Sequence, residues 1–270
     1  MIRTAIYCVV YQTYKELYKY LDSIRQALSK TDQFEVSVFI ADNTIEDYQQ
    51  ISEEESSTMH IHVFPFHENH GYFGSIRKMM QATAVEDFSY VIISNVDVSL
   101  NESFFTQLNA CTVPENTGWI APAIISTKDS CDLNPQATIR YTMQKLKILK
   151  FLYDHPLIMW IYENSIYRIK RHTKHSTGRI YAGHGSFIIL THEFIKRCGI
   201  INYPPFLYCE EIYLGELCRL HHLVVNYQPT IIINDIGGVS TGRLKRKDYY
   251  QYNSKATQYI IDTFYKAQSL

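Results

Sequence analysis

Short apolar runs alternate with helix-like runs through the first half of the chain, and this rhythm restricts the fold more than any other feature. Ile6 to Val10 reads as a buried strand, and Tyr14 to Leu28 as an amphipathic helix with Leu17, Leu21, Ile24 and Leu28 on one face. Val36 to Ala41 is a second strand, ending at Asp42-Asn43-Thr44. Ile61 to Phe66 is a third, followed by a loop rich in His and Gly and a helix from about Phe73 to Val85. Tyr90 to Ser94 is a fourth, before an Asn101-capped helix and a strand around Trp119 to Ala123. Strands separated by helices predict an α/β fold with a mostly parallel, doubly wound sheet.

The second half breaks this rhythm. From Tyr141 to Lys174 the chain is aromatic and basic, and Pro156 divides it into two predicted helices. A Gly-flanked strand (Ser186 to Leu190), a helix from His192 and a Pro204-Pro205 loop follow. Glu210-Glu211 then opens a helix, and a strand pair around Val224 and Ile232 precedes a final helix within 244–270. There is no internal repeat or linker, so residues 1–270 are expected to form one domain with a helical insert at 141–175.

Bulk properties exclude several classes. With 26 basic and 27 acidic residues no net field points to nucleic acid. The six cysteines show no CxxC pair or ligand spacing, which fits free thiols in a reducing cytoplasm rather than zinc or disulfides. The amino terminus enters a strand without signal-peptide character, and no apolar run is long enough to span a bilayer. The expectation is a cytoplasmic protein, at most peripheral at the inner face of the membrane. Tyr, at 22, is abundant; it suits stacking on bases or sugars and equally suits half-buried packing.

Two acidic clusters carry the chemistry. Asn95-Val96-Asp97 follows the strand Tyr90 to Ser94, so Asp97 emerges at a strand's carboxyl end, where α/β sheets present ligands. It is an Asp-x-Asp pattern with Asn first, able to bind Mg²⁺ or Mn²⁺ that bridges donor phosphates, or simply to cap a turn. Glu210-Glu211 follows the aromatic loop Tyr203 to Tyr208; the pair can supply a base or complement a helix dipole. Asp42-Asn43 can bond a nucleotide or form a turn. Asn69, Gly71 and the following helix start allow close backbone approach to a diphosphate, with Arg77 adding charge or lying on a solvated face. Asp235-Ile236-Gly237-Gly238 with the basic run from Arg243 forms either a phosphate-closing loop or a surface turn.

The order of these motifs resembles family 2 glycosyltransferases of the GT-A fold, especially bacterial rhamnosyltransferase-like enzymes of capsule and O-antigen assembly. The likeness runs from about Ile2 to Arg243 and is weakest over the insert. It implies that Val10, Tyr11, Asp42, Asn69 and Gly71 line the nucleotide-sugar pocket. Asp97 would hold a divalent metal with Asn95 as a weaker partner, and Glu211, beside Glu210, would be the general base. Gly185 and Tyr208 would shape the acceptor side. Tyr213 stands where a further acid often follows the Glu pair, and Asp235 stands where a late His frequently helps hold the metal.

The function so implied is inverting transfer of a sugar from a nucleotide-diphosphate donor to a hydroxyl of a glycan or lipid-linked acceptor. The alternatives are a non-catalytic sugar-nucleotide or glycan-binding module, and a nucleotidyltransferase on a similar sheet. The insert reads as a lid, a membrane-surface element, or a helix pair packed on the domain or on a second subunit in a homodimer.

Overall fold

The computed structural model describes residues 1–165, 176–237 and 244–266. Strand β1 (Ile2–Val10), helix α1 (Tyr14–Leu28), β2 (Phe34–Asp42), the short β3 (Glu54–Glu55) and β4 (Met59–Pro65) open the chain. Helix α2 (Tyr72–Gln81), β5 (Tyr90–Ser94), β6 (Val98–Leu100), α3 (Phe104–Ala110) and β7 (Thr117–Ser126) follow. The insert forms α4 (Met143–Asp154) and α5 (Pro156–Ser165). Then come β8 (Gly178–Ile180), β9 (Phe187–Thr191), α6 (His192–Cys198), α7 (Glu210–Leu220), β10 (Val224–Asp235) and α8 (Arg246–Ile261), closed by a π-helical turn over Asp262–Lys266.

All ten strands join one sheet, ordered β3-β4-β2-β1-β5-β9-β7-β10-β6, with β8 paired to β10. Its two faces are both buried, so β1 carries apolar side chains at nearly every position. Ile6, Cys8 and Val10 point into a core shared with α1 and α3, where Leu17, Ile24 and Phe105 pack. Ala5 and Tyr7 point to the other side, against Phe73 and Ile76 of α2 and Leu214 of α7.

Parallel ladders predominate in the sheet, as expected, with antiparallel strands set among them. Parallel pairing joins β4, β2, β1 and β5, and again β7 with β10. Strand β9 lies antiparallel between β5 and β7, and β6 and β8 run antiparallel to β10. The expected strand pair around Val224 and Ile232 is one strand, whose register slips against β7 between Gln228 and Ile232. Pro229 lies in that slip; without an amide hydrogen it is tolerated only at such a bulge. Asn101 sits one turn ahead of its predicted helix, accepting hydrogen bonds from the Ser103 amide and hydroxyl at 3.0 and 2.9 Å. Pro156 does separate two helices, as the first residue of α5, where a missing amide hydrogen costs nothing. Residues 166–175 of the insert and 267–270 of the final helix lie outside the described residues.

Candidate active site

Because β1, β2, β4 and β5 run parallel, their carboxyl ends share one edge of the sheet. Val10 pairs in register with Asp42, and Asp42 with Pro65. Asp42 is fully buried there. Its Oδ2 accepts a hydrogen bond from the Tyr14 hydroxyl at 2.8 Å, and its Oδ1 from the Thr44 amide at 2.9 Å. The Asn43 amide donates to the Val10 carbonyl at 2.9 Å, and the Asn43 side chain donates to Ser75 Oγ at 2.8 Å. Tyr11 follows half-buried at the strand end.

Asn69 and Gly71 tie this corner to the loop ahead of α7. Asn69 Oδ1 accepts from the Gly71 amide at 3.1 Å. Gly71 has φ +75°, and a Cβ there would lie 2.1 Å from the Phe206 carbonyl oxygen. Only glycine admits this contact. The Tyr72 amide, first in α2, donates to that same carbonyl at 3.3 Å. Arg77 reaches away from this corner to Asn202 Oδ1, at 2.8 Å.

The first acidic cluster gathers where β9 reverses against β5. Ser94 pairs with Phe187, and the Asn95 amide donates to the Ser186 carbonyl at 2.9 Å. Asp235 at the end of β10 pairs with Val98, and the Ile236 amide donates to the Asp97 carbonyl at 3.0 Å. The backbones of Asp97 and Asp235 are thus adjacent, and both side chains are buried. Burial raises the Asp235 carboxyl above its ordinary range, against hydrogen bonds from Ser186 and the Gly237 backbone. Nearby, His184 Nδ1 lies 2.9 Å from Ser186 Oγ, and the His184 amide donates to Asn134 Oδ1 at 2.7 Å. Burial lowers this imidazole to about 4 despite the charges of Asp132 and Asp97, so it is neutral at pH 7.

The second cluster stands on a strained hinge. Tyr208 and Cys209, consecutive and not glycine, have φ of 75° and 61° immediately before α7. Such backbone persists only where surrounding contacts impose it. Here the Tyr203 hydroxyl donates to the Tyr208 carbonyl at 2.5 Å, and the Tyr208 amide donates to Glu210 Oε1 at 3.0 Å. Glu210 is buried by this contact, whereas Glu211 is partly open. Glu211 Oε2 lies 3.8 Å from where a Cβ on Gly185 would stand, so its carboxylate covers that glycine. Burial drives Glu210 up to about 8, and the neighbouring Glu211 charge adds to the shift. Burial raises Glu211 as well.

Tyr72 links the clusters. Its hydroxyl donates to the Gly185 carbonyl at 3.4 Å, and after burial the charges of Glu210 and Asp97 are among those that raise it. The structure therefore brings Asn95, Asp97, Asp235, Gly185, Glu210 and Glu211 to one edge, with Tyr208 behind the Glu pair. His184, Ser186 and Tyr72 join them; they lie in the Gly-His-Gly-Ser and Asn-x-Gly-Tyr runs of the sequence, which gave none of the three a role of its own. Gly238 to Arg243 lie outside the described residues.

Among the described residues no group of three or more His, Cys, Asp or Glu is arranged to hold an ion. Asp97 and Asp235 offer hard carboxylates, a donor set that suits Mg²⁺ or Mn²⁺ when phosphate oxygens and water complete the shell. Two hollows, of about 640 and 690 Å³, open at the opposite edge, around Tyr90 and Thr191 and around Met59. Of the acids in the first of these, Glu86, Asp87 and Glu115 are solvent-exposed and Glu193 is paired with Arg197. Buried, mutually perturbed carboxylates mark the strand-end edge as the reactive one.

No protein-family model matches the sequence, and no curated protein matches it either. In three dimensions the chain is similar to GalNAc-T7, solved with UDP, GalNAc and Mn²⁺, at 12% identity and a TM-score of 0.55. That match covers 87% of this chain and 44% of GalNAc-T7. It is also similar to Staphylococcus aureus TarS, solved with UDP-GlcNAc, at 11% identity and a TM-score of 0.54, over 93% of this chain and 64% of the other. The fold is GT-A. The chain spans less than two thirds of either neighbour, and at these identities the likeness establishes architecture alone.

Proposed function

We propose that the chain is an inverting glycosyltransferase that moves a sugar from a nucleotide-diphosphate donor to a hydroxyl of a glycan or lipid-linked saccharide. One observation carries the reading: a partly open carboxylate, Glu211, covers Gly185 while Asp97 and Asp235 lie behind the adjoining Ser186. The acceptor oxygen would attack the anomeric carbon as the bond to the diphosphate oxygen breaks. Its proton would pass to Glu211, and the diphosphate would leave with the bonding pair. Glu210, fixed by the Tyr208 amide and pushed up to about 8, keeps its proton at neutral pH and leaves the single negative charge to Glu211. Asp97 and Asp235 are the residues that would hold a divalent ion, which when bound would neutralise the departing diphosphate. Val10, Tyr11, Asp42, Asn69 and Gly71 frame the nucleotide side. The GT-A fold, with UDP and GalNAc in one structural neighbour and UDP-GlcNAc in the other, supports this reading, as does the resemblance of the motif order to bacterial capsule and O-antigen enzymes.

The test is a thermal-shift and nucleotide-release screen of UDP-, GDP-, dTDP- and CMP-sugars with and without Mn²⁺. One donor should stabilise the protein and release its nucleotide. Glu211→Gln should keep donor binding and lose on the order of 10²–10⁴-fold in turnover. Full activity in that variant removes Glu211 from the mechanism. Binding by the wild type without release, even with acceptors present, converts the proposal into a sugar-nucleotide binding module.

A further inference from the structure

We propose that the α4–α5 hairpin seats the protein on an anionic lipid surface. This adds a partner to the proposed reaction and does not depend on it. The hairpin's inward face is narrow: Leu146 of α4 enters the main core, and Leu152 and Met159 pack on Tyr250 of α8. Its outward face is large and apolar. Leu157 is 82% exposed, Ile148 61%, Ile161 59%, Phe151 and Trp160 51% and Ile158 42%. In α5 nearly every residue from Pro156 to Ile161 is open, with Met159 alone among them turned inward. A water-facing helix is normally polar on that side, and a contiguous apolar surface of this kind marks an interaction site.

Charge identifies the occupant. Lys145 and Lys147 on α4 and Lys245 and Lys247 at the start of α8 are exposed around this face. Among the described hairpin side chains the one acid is Asp154, already held by Lys150 at 2.6 Å and by the Ser254 hydroxyl. A second copy packed through the same face would set these lysines against their own copies, with only Asp154 and Asp248 among the described acids of α4, α5 and the first turn of α8. Anionic headgroups answer them directly, while the apolar side chains enter the acyl boundary. Helix α5, with 10 residues, is about 15 Å long against a hydrocarbon core of about 30 Å, and no described helix is long and apolar enough to cross a membrane. The hairpin would therefore lie in the interface. Helix α8, on which it rests, also backs the acidic loop: Tyr249 packs on Tyr208 and Tyr252 on Phe206, with ring centroids 5.2 and 5.0 Å apart. A lipid-carried acceptor would thus be presented from the side of the molecule that faces the membrane.

Flotation of the full chain on phosphatidylcholine vesicles with and without phosphatidylglycerol tests this. The wild type should float with the anionic vesicles and less so as salt is raised. Ile148→Glu with Leu157→Glu should reduce partition by at least about tenfold. Both positions are solvent-exposed, so circular dichroism and the denaturation midpoint should not change. A wild type that floats with neither vesicle, or variants that float equally well, overturns the proposal. A dimer in sedimentation that the same substitutions dissociate also overturns it, in favour of a second copy. Sugar-nucleotide binding is read separately in both proteins, so failure to float with donor binding intact removes the membrane and leaves the proposed reaction standing.

Discussion

Replacing Glu210 by Gln should stabilise the protein at alkaline pH, because the wild type holds a carboxyl where charge is unwelcome. Burial, reinforced by the Glu211 charge, moves Glu210 from 4.5 to about 8. A group raised in the folded state keeps its proton there after the unfolded chain has lost it. Its contribution to stability is therefore full below pH 4.5 and is lost as pH rises through about 8. At ~1.4 kcal/mol for each pH unit between those values, the loss approaches about 5 kcal/mol by pH 9, an upper bound that relaxation and water entry reduce. Gln keeps an oxygen for the Tyr208 amide, which donates at 3.0 Å, and carries no proton to lose. Guanidinium denaturation from pH 4.5 to 9 should show Glu210→Gln gaining about 3–5 kcal/mol over the wild type at the alkaline end, and little at the acid end. An unpaired amide hydrogen in the variant would shift its curve by a constant without changing the slope. Parallel pH curves, or an advantage that grows toward acid, would refute a protonated Glu210 and the single charge assigned to Glu211.

Gly71→Ala must force a left-handed backbone on an L-residue and push the Phe206 carbonyl from 2.1 Å, so it should cost about 3 kcal/mol. An unchanged denaturation midpoint would refute that contact. Glu216, wholly buried on α7, is gripped by Arg140 at 2.6 Å, Arg219 at 2.8 Å and the Tyr181 hydroxyl at 2.7 Å. Burial alone would raise it, yet these bonds hold it below the ordinary range, so its contribution is present at neutral pH and is lost toward acid. Glu216→Gln removes the charge that both guanidinium groups answer, leaving Arg140 the Phe264 carbonyl and the Tyr265 ring, and should cost about 3 kcal/mol at pH 7, with the gap to wild type narrowing toward acid. A wild-type midpoint at neutral pH would refute the clasp.

The sequence revealed those elements whose own composition determines them. Helix α1 and strand β5 have the predicted bounds, since an amphipathic stripe and a short apolar run are local signals. Direction is not local. Nothing in Phe187 to Thr191 says that it runs against β5, and an apolar run buried on both faces reads alike in either direction. The short strands β3, β6 and β8 were likewise invisible, because two or three residues become strand only when a longer neighbour supplies the ladder. The strand pair expected around Val224 and Ile232 erred in the opposite sense: it is the single strand β10, with a bulge at Pro229.

The same distinction explains the site. Asp97 and Glu211 were readable because each ends or opens an element whose type the local pattern fixed. Their companions depend on β9. Laying that strand antiparallel on β5 sets Phe187 opposite Ser94, which brings Ser186 onto Asn95 and places His184 within the field of Asp97. Gly185, carried by the same reversal, then meets the Tyr72 hydroxyl and lies beneath Glu211. A one-residue slip of β9 would turn Ser186 to the other face and break this junction, since alternate side chains leave opposite sides of a sheet. The acids are thus local features of the sequence, whereas their convergence depends on the register of one antiparallel strand inserted into a parallel sheet.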